Sequence, residues 1–363
     1  MFTSTYNSED SPTTPNSDSE LVAYKTMYDI VGTGNYSVVI HPVITSNLTK
    51  EFLEYSTSDY RDVSKIFKKG NQHEFHNELD ILLKVKSIPD YTRFTTAVKG
   101  ASSFDSTILH NQIDDMEYDN EVYQIIFEYG GIPINKIPCN IPFFKFLKLF
   151  QQLLTGINAL HIHSIVHRDI KPTNCLFTDN KFNLIDFGLA CHIGDVYKND
   201  DDTNFILSYM YMYHPPEFYI VSLIYQHQKL CVSSIKDTID EVFNTILPVQ
   251  LDKFYLQHYH RYFAYESYNI FAYQKAFSNF YNNMKANNIH SLQELLTPEF
   301  VFKSDVFALS FVLKSLKSHI IFDNMVQRHI YKIIYNMMYA LNPYERCTIN
   351  EILEYIENNI YLI

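Results

Sequence analysis

The sequence predicts an α+β fold in two lobes, a small β-rich lobe followed by a larger helical one. Patterns typical of strands dominate the first third of the chain, and helical patterns dominate the remainder. Strands that precede helices, rather than alternating with them, indicate segregated layers of different class. The chain has 363 residues, 46% of them hydrophobic, which is ample for a core without disulfide or metal support.

Composition excludes several classes of function. The net charge is −12, from 41 acidic against 29 basic residues, so we expect no nucleic-acid partner. The five cysteines form no Cys-x-x-Cys pair, which is typical of free thiols in a reducing compartment. Because the start lacks a signal peptide and no window has the apolar length of a membrane helix, we expect an intracellular, cytoplasmic protein with no membrane partner. The sequence predicts no oligomeric state.

Strand patterns begin after a Ser/Thr/Asp/Pro-rich stretch, residues 1–23, which we interpret as a flexible acidic tail. Residues 28–44 have an extended pattern with a turn at residues 32–35, and residues 62–67 form another candidate strand. Residues 102–121 are polar and acidic, and this composition predicts a loop or a small insertion.

Helical periodicity first appears between these strands and the polar loop, where apolar residues recur three and four apart. Glu74 and Glu78 of this helix lie outside the apolar face and are available to pair with other residues. Its apolar face consists of Phe75, Leu79, Leu82 and Leu83. Later elements are predicted, in order, as a strand at 122–127, a helix at 142–163, and short strands at 175–177 and 184–185.

The strongest chemical signal is the run His-Arg-Asp-Ile-Lys-Pro-Thr-Asn at residues 167–174, followed by Asp-Phe-Gly at residues 186–188. The two motifs, in this order and with a short strand pair between them, resemble the catalytic core of eukaryotic-type serine/threonine protein kinases. The resemblance implies the bilobal protein kinase fold. It assigns residues 24–129 to a β-rich N-lobe and residues 130–363 to a helical C-lobe.

Residues 31–39 resemble the glycine-rich loop of that family, in which backbone N–H groups approach the phosphates of ATP. Glycine suits this role because a Cβ would hinder the close approach. The third glycine of the family motif is Ser37 here. The loop residues predicted to bind the nucleotide are Val31, Gly32, Thr33, Gly34, Asn35, Tyr36, Ser37, Val38 and Val39.

Lys65 resembles the lysine of the family's third strand, which contacts the α- and β-phosphates. Lys68 and Lys69 are alternatives, but on a strand Lys68 would point to the opposite face from Lys65. The resemblance implies that this lysine pairs with a glutamate of the next helix. Glu78 matches the family pattern best, and Glu74, one turn earlier, is the alternative.

The residues that end the strand at 122–127 resemble the adenine-binding hinge of the family. Phe127 resembles the residue that guards the back of the adenine pocket, and the backbone of Glu128, Tyr129 and Gly130 would bind adenine. A strand end followed by a Gly-Gly turn would explain the same residues without a ligand.

The resemblance assigns the catalytic chemistry to four residues. Asp169 resembles the base that orients the acceptor hydroxyl and takes its proton, and Asn174 and Asp186 are hard oxygen ligands suited to Mg²⁺. Lys171 follows Asp169 by two residues, where the serine/threonine branch keeps a lysine near the γ-phosphate. The resemblance therefore implies ATP and Mg²⁺ as cofactors, and Ser/Thr hydroxyls of proteins as acceptors.

Further family features extend toward the end of the chain. Arg168 resembles an arginine that pairs with a phosphorylated residue of the activation loop, which would run over residues 186–217. Glu217 resembles the glutamate that closes this loop and pairs with a late arginine, here Arg346. Asp305 resembles the aspartate buried under the catalytic loop. Candidate phosphate acceptors in the loop are Thr203, Ser208 and Tyr209.

The separation between Glu217 and Asp305 is longer than the family needs, which predicts an aromatic-rich insertion at about residues 218–300. The insertion either packs on the C-lobe as additional core or forms a dock for a partner. A pseudokinase that acts as a scaffold through this insertion is the alternative to an active kinase, and a small-molecule kinase is a further alternative. The Asn/Ile/Tyr/Phe bias resembles protein kinases of large cytoplasmic DNA viruses, which would place the protein in a host cytoplasm or a virion.

Overall fold

A computed structural model describes most of the chain. The predicted tail at residues 1–23 lies outside the described residues, and so do the candidate phosphate acceptors Thr203, Ser208 and Tyr209. The structure describes residues 28–44, 48–54, 61–109, 117–138, 140–178, 181–196, 213–230, 234–248, 270–289 and 291–362.

The small lobe is a six-stranded antiparallel sheet. Its strands are β1 (Asp29–Thr33), β2 (Ser37–His41), β3 (Leu48–Leu53), β4 (Val63–Phe67), β5 (Val98–Asp105) and β6 (Glu121–Phe127). They lie in the order β1-β2-β4-β6-β5-β3. All five residues of β4 are buried because this strand pairs with β2 on one side and β6 on the other. A functional side chain on β4 is therefore held by two neighbouring strands.

Strand β5 corrects the start of the loop predicted for residues 102–121, because residues 102–105 belong to the strand. Ser102 and Ser103 make this segment polar, yet both serines are buried between neighbouring strands. The Oγ of Ser102 accepts a hydrogen bond from Gln124 at 2.9 Å, and the Oγ of Ser103 donates one to Glu121 at 2.7 Å. Because these contacts satisfy the hydroxyls, the strand buries them at little cost. A hydropathy pattern does not contain that information.

One helix, α1 (Gln72–Lys86), packs on the sheet, where the rings of Phe75 and Phe67 lie 5.4 Å apart. Leu83 does not belong to the packed face, because 41% of it is exposed. At 100° per residue it lies roughly 120° around the helix from the centre of the buried face. The predicted apolar face is confirmed for Phe75, Leu79 and Leu82 and wrong for Leu83.

The large lobe is mainly helical. Its helices are α2 (Phe143–Ile162), α3 (Ile193–Val196), α4 (Pro216–Leu230), α5 (Ile235–Glu241), α6 (Ile270–Ala286), α7 (Leu292–Leu295), α8 (Pro298–Leu316), α9 (Met325–Tyr339) and α10 (Ile349–Asn359). Its short strands are β7 (Ile132–Pro133), β8 (Ile141–Pro142), β9 (Ile165–Val166), β10 (Cys175–Phe177), β11 (Phe182–Leu184), β12 (Cys191–His192) and β13 (Ile320–Ile321). Within the described ranges, no helix combines the length and the apolar character that crossing a bilayer requires.

The main core of the large lobe forms around α2, whose buried residues pack against α8, α9 and α10. A second hydrophobic cluster involves α4, α5, α6 and the start of α8. In it the ring of Phe300 lies 6.4 Å from that of Phe218 and 6.1 Å from that of Phe280. The described part of the predicted insertion at residues 218–300 thus packs as core, and the alternative of a partner dock stays a prediction.

The hairpin of β10 and β11 brings the motif residues together. A 3₁₀ turn, Pro172–Asn174, leads into β10, and β11 ends two residues before Asp186. Cys175 pairs with Leu184 at the open end of the hairpin, and the N–H of Ile185 donates to the carbonyl of Asn174 at 2.9 Å. Asn174 and Asp186 therefore lie at the same end of the hairpin. The fold agrees with the small β lobe and helical large lobe predicted from the sequence.

Candidate active site

A cleft of about 470 Å³ lies between the two lobes. Segments that are distant in the sequence line it: the glycine-rich loop, β4, the end of β6, and the hairpin that precedes Asp186. Most of the residues assigned to nucleotide binding from the sequence line this cleft, but Asn35, Tyr36 and Val38 do not, and Val38 is buried in the core of the small lobe instead. The predicted site residues that line it are Val31, Gly32, Thr33, Gly34, Ser37, Val39, Lys65, Glu78, Glu128, Tyr129, Gly130, Lys171, Asn174 and Asp186.

Lys65 occupies the centre of the cleft wall. Its Nζ lies 2.8 Å and 2.6 Å from the two carboxylate oxygens of Glu78, and 2.7 Å from Oδ1 of Asp186. Burial alone would lower the pKa of Lys65, but the carboxylates of Asp186 and Glu78 outweigh it and raise this pKa. The structure therefore holds a fixed positive charge where the sequence predicts phosphate contact.

The alternatives to Lys65 and Glu78 do not form this pair. Lys68 is only partly exposed, and its Nζ donates to the carbonyl of Gly34 at 2.6 Å. Lys69 lies 3.3 Å from Glu117 on the surface. Glu74 contacts neither Lys65 nor Asp186, although it lies one turn before Glu78 on α1. The sequence prediction of Lys65 with Glu78 agrees with the geometry.

Three side chains of the catalytic loop form a second cluster. The Nζ of Lys171 lies 2.8 Å from Oδ2 of Asp169, and the amide nitrogen of Asn174 donates to the same oxygen at 2.7 Å. The other oxygen of Asp169, Oδ1, is buried and has no hydrogen-bond partner among the described residues. A buried oxygen without a hydrogen bond lowers the stability of the fold. Oδ1 can therefore gain a hydrogen bond from the hydroxyl group of a substrate.

The two carboxylates differ in proton affinity. Burial raises the pKa of Asp169, and the Lys171 ammonium offsets this only in part. Burial would also raise the pKa of Asp186, but the Lys65 ammonium outweighs it and lowers the pKa to about 2. The site therefore contains a more basic carboxylate at residue 169 and a permanently ionised one at residue 186, as different roles require.

Asn174 and Asp186 supply hard oxygen donors of the kind that Mg²⁺ prefers. The described residues contain no cluster of three or more His, Cys, Asp or Glu side chains that could hold a metal. A Mg²⁺ site of one or two protein oxygens completed by phosphate and water needs no such cluster. The donor set thus fits the magnesium role predicted for these two residues.

The glycine-rich loop joins β1 to β2 through a turn in which the N–H of Gly34 donates to the carbonyl of Ser37 at 2.8 Å. A Cβ at Gly32 would meet no atom within 4 Å, and one at Gly34 would lie 3.7 Å from Ser37. Packing within the chain does not require either glycine. The two glycines are consistent with a loop whose backbone stays accessible to a ligand.

The hinge after β6 is held by backbone contacts. The N–H of Glu128 donates to the carbonyl of Ala97 at 2.9 Å. A Cβ on Gly130 would lie only 2.5 Å from Thr96 and 2.7 Å from Leu176, so a larger residue there would require these two side chains to shift. The hinge carbonyl of Gly130 accepts a hydrogen bond from the side chain of Asn183 at 2.7 Å.

The catalytic loop rests on a buried aspartate. Oδ2 of Asp305 accepts from the N–H of His167, and Oδ1 accepts from the N–H of Arg168, each at 2.9 Å. Arg168 has a φ of 65°, a strained conformation for a residue with a Cβ, so these bonds fix the loop in an unfavourable shape. His161 also contacts Asp305, with 3.0 Å between Nε2 and Oδ2.

Sequence reasoning missed two residues of this region. No metal-ligand pattern in the sequence marks His161 as a site residue, because no Cys or carboxylate stands near it at zinc-ligand spacing. Asn183 carried no signal, because a single polar residue in a short apolar strand is common. A histidine six residues before the His-Arg-Asp motif, at the end of the helix that leads into it, was the one local hint.

The segment that follows Asp186 is anchored at its far end. The guanidinium of Arg346 makes two contacts with the carboxylate of Glu217, one of them 3.1 Å between Nη2 and Oε2. The two residues pair as the resemblance implies, and both are buried. The guanidinium of Arg168 lies 3.4 Å from the carbonyl of Leu189. The phosphate acceptors predicted to pair with Arg168 lie outside the described residues, so this pairing stays a prediction.

Comparison with known proteins agrees with these motifs. The family model described as "Protein kinase domain" matches residues 26–356. The "CTD kinase subunit alpha" of Saccharomyces cerevisiae is 30% identical over 209 residues, which cover 52% of this chain and 37% of that protein.

Two further relatives match over shorter segments. "Calcium-dependent protein kinase 3" of Plasmodium yoelii yoelii is 32% identical over 120 residues, 31% of this chain and 22% of that protein. "Serine/threonine-protein kinase MPS1" of Encephalitozoon cuniculi is 36% identical over 101 residues, 27% of this chain and 16% of that protein. The matched segments thus span between 16% and 37% of the length of these three curated relatives.

Proposed function

The chain belongs to the protein kinase domain family, and we propose that it is a serine/threonine protein kinase that transfers the γ-phosphate of ATP to proteins. The observation that carries this proposal is the pairing of two clusters across one cleft. Lys65, held by Glu78 and Asp186, faces the nucleotide side, and Asp169 has a free buried oxygen for the acceptor hydroxyl. Phosphoryl transfer needs both a group that binds the phosphates and a base for the acceptor hydroxyl.

In the proposed reaction, Oδ1 of Asp169 orients the acceptor hydroxyl and takes up its proton. The raised pKa of Asp169 makes it a better proton acceptor than an exposed aspartate. Oδ2 is already held by Lys171 and Asn174, so the carboxylate cannot rotate freely. The ammonium of Lys171 also supplies positive charge next to the reacting oxygens, where negative charge develops.

The nucleotide side would hold ATP with Mg²⁺. Asn174 and Asp186 would hold the metal, which neutralises charge on the β- and γ-phosphates when bound. Lys65 would contact the α- and β-phosphates, and the backbone of the glycine-rich loop would cover them. Glu128, Tyr129 and Gly130 would present hinge backbone to adenine.

Serine and threonine are favoured over tyrosine as acceptors for two reasons. Lys171 stands two residues after the base, where the serine/threonine branch of the family keeps a lysine near the γ-phosphate. One of the relatives is also named as a serine/threonine-protein kinase. Location in the cytoplasm and an origin in a large DNA virus stay predictions from composition.

The test is a transfer assay with labelled ATP, Mg²⁺ and a generic basic protein. We expect phosphate on serine and threonine after acid hydrolysis, and no transfer by the Asp169→Asn variant. Nucleotide binding without transfer to any protein would instead favour the scaffold alternative, in which the protein acts through its insertion. Transfer only to a metabolite would favour a small-molecule kinase, and label on tyrosine alone would contradict the proposed specificity.

A further inference from the structure

Asn183 lies in the middle of β11, three residues before Asp186, with only 1% of its surface exposed. Its amide nitrogen donates to the hinge carbonyl of Gly130 at 2.7 Å, across a gap of 53 residues in the sequence. The orientation of the amide follows from the chemistry, because a flipped group would place its oxygen against the carbonyl oxygen. The side chain therefore connects the strand before Asp186 directly to the hinge.

This amide is only half satisfied. Its Oδ1 is buried and has no hydrogen-bond partner in the described part of the chain. A buried polar atom without a partner destabilises the fold, which offsets part of the stability gained from the hydrogen bond to Gly130. The donor function of Asn183 toward Gly130 gives a reason for an asparagine here.

The backbone on both sides of this contact is fixed. Next to Asn183, the N–H of Leu184 donates to the carbonyl of Phe94 at 2.7 Å, and its carbonyl accepts from the hydroxyl of Thr95 at 2.6 Å. On the hinge side, Gly130 packs between Thr96 and Leu176, and a Cβ there would require these two side chains to shift. Because both sides are held by these contacts, the hydrogen bond sets the direction of the Gly130 carbonyl.

We propose that Asn183 is a positioning and specificity residue for the nucleotide base, acting through the hinge carbonyl of Gly130; this rests on the proposed function. In that function, the N–H of Gly130 and the carbonyl of Glu128 would face the base, while Asn183 holds the Gly130 carbonyl. One donor and one acceptor complement adenine, whose edge carries an amino donor and a ring-nitrogen acceptor.

Guanine does not match this arrangement. It presents an oxygen acceptor where adenine has its amino group, together with additional N–H donors. Those donors would need a second hinge acceptor, and the Gly130 carbonyl is the nearest candidate. Because the bond to Asn183, a buried residue outside the cleft lining, turns this carbonyl away from the base, the hinge would leave polar groups of guanine unpaired.

The test is the Asn183→Leu variant, which keeps a similar volume but has no donor. We expect the KM for ATP to rise about tenfold, which is the effect on affinity expected when one hydrogen bond is lost. The kcat should stay within about twofold. We also expect the ratio of kcat/KM for ATP over GTP to fall by about the same factor. The melting temperature without nucleotide should change little, because the variant removes the unpaired Oδ1 but leaves the Gly130 carbonyl without its donor.

Gln327→Leu is the matched control. Gln327 is a buried amide at the start of α9, where it accepts from the N–H of Asp323 at 2.8 Å, far from the hinge in the sequence and on another element. It should lower the melting temperature without changing the KM for ATP. The shift in melting temperature caused by ADP is measured against each variant's own nucleotide-free value, so a less stable variant remains readable.

An unchanged KM for ATP and an unchanged ATP/GTP ratio in Asn183→Leu would overturn the role of Asn183 alone. The same conclusion would follow if both parameters changed equally in Gln327→Leu. If the wild-type protein shows neither an ADP-induced shift nor transfer from ATP, the proposed function fails as well. The two failures are therefore distinguished by the wild-type measurement.

Discussion

His161 lies against Asp305, with 3.0 Å between its Nε2 and Oδ2 of the aspartate, and both side chains are buried. The same carboxylate accepts hydrogen bonds from the N–H groups of His167 and Arg168. One end of α2, the catalytic loop and α8 therefore meet at a single aspartate. The histidine helps to hold the carboxylate that supports the catalytic loop.

We predict that His161→Leu lowers the free energy of unfolding by about 1–3 kcal/mol, because a buried partner of the Asp305 carboxylate is lost. It should lower kcat as well, since the strained Arg168 backbone depends on that carboxylate. His163 provides the control: it is exposed, and among the described residues its ring bonds to the carbonyl of Ala159 at 2.8 Å. His163→Leu should change stability by no more than about 0.5 kcal/mol. Equal losses in urea unfolding of the two variants would refute the distinction.

Asp305 should give stability a defined pH dependence. Burial would raise its pKa, but the hydrogen bond from His161 and the charge of nearby histidines outweigh it, so the pKa falls below its usual value. A depressed pKa stabilises the folded protein above the unfolded value of about 3.9, and this stability is lost as the pH falls through the lower folded value.

Asp305→Asn should therefore lower the free energy of unfolding by about 2–3 kcal/mol at pH 7, where the carboxylate is ionised. The difference from wild type should shrink as the pH falls below about 4. Urea titrations between pH 3 and pH 7 measure it. A difference that stays constant over this range would show that the charge of Asp305 is not the stabilising element.

The two lobes and the main catalytic residues could be predicted from the sequence because they depend on short motifs and on hydrophobic periodicity. Lys65 could be chosen over Lys68 because strand alternation places them on opposite faces. Asp169, Asn174 and Asp186 occupy fixed positions in two contiguous motifs, so their juxtaposition follows once the hairpin between them forms.

Contacts between distant segments could not be predicted in this way. Strand β5 was missed because Ser102 and Ser103 are satisfied by residues of β6, and hydropathy records polarity but not partners. The contact of Asn183 with Gly130 depends on how the β10–β11 hairpin packs beneath the hinge. No local pattern encodes that packing, and therefore neither residue's role could be read before the fold was known.

The choice between Glu78 and Glu74 is testable with paired variants. Glu78→Gln removes the carboxylate that holds Lys65 at 2.6 Å and 2.8 Å, so the ammonium is no longer fixed against the phosphates. We expect a loss of about 10²-fold in kcat/KM, which is typical when a catalytic group is displaced by about 1 Å. Initial rates with labelled ATP measure it.

Glu74→Gln is the control for that experiment, because Glu74 lies on the same helix and does not contact Lys65. Its kcat/KM should remain close to that of the wild type. A large loss in Glu74→Gln with little effect of Glu78→Gln would reverse the assignment of the two glutamates.

The buried pair of Arg346 and Glu217 should be strongly coupled. The guanidinium contacts both carboxylate oxygens, donates to the carbonyls of Ala340 and Lys303, and lies 4.8 Å from the ring of Phe307. Arg346→Lys keeps the charge but cannot reproduce the planar, two-pronged contact. We expect it to lower the free energy of unfolding by about 3 kcal/mol, as breaking a buried pair does.

A double-mutant cycle tests whether the pair, and not general packing, is responsible. Glu217→Gln alone leaves a buried guanidinium without its counter-charge, and Arg346→Met alone leaves a buried carboxylate in the same position. Each single variant should therefore lose about 3–5 kcal/mol in urea unfolding, and the double variant should lose less than the sum, because it buries no uncompensated charge. Strictly additive losses would mean that the two side chains stabilise the large lobe independently, through Phe307 and the backbone carbonyls.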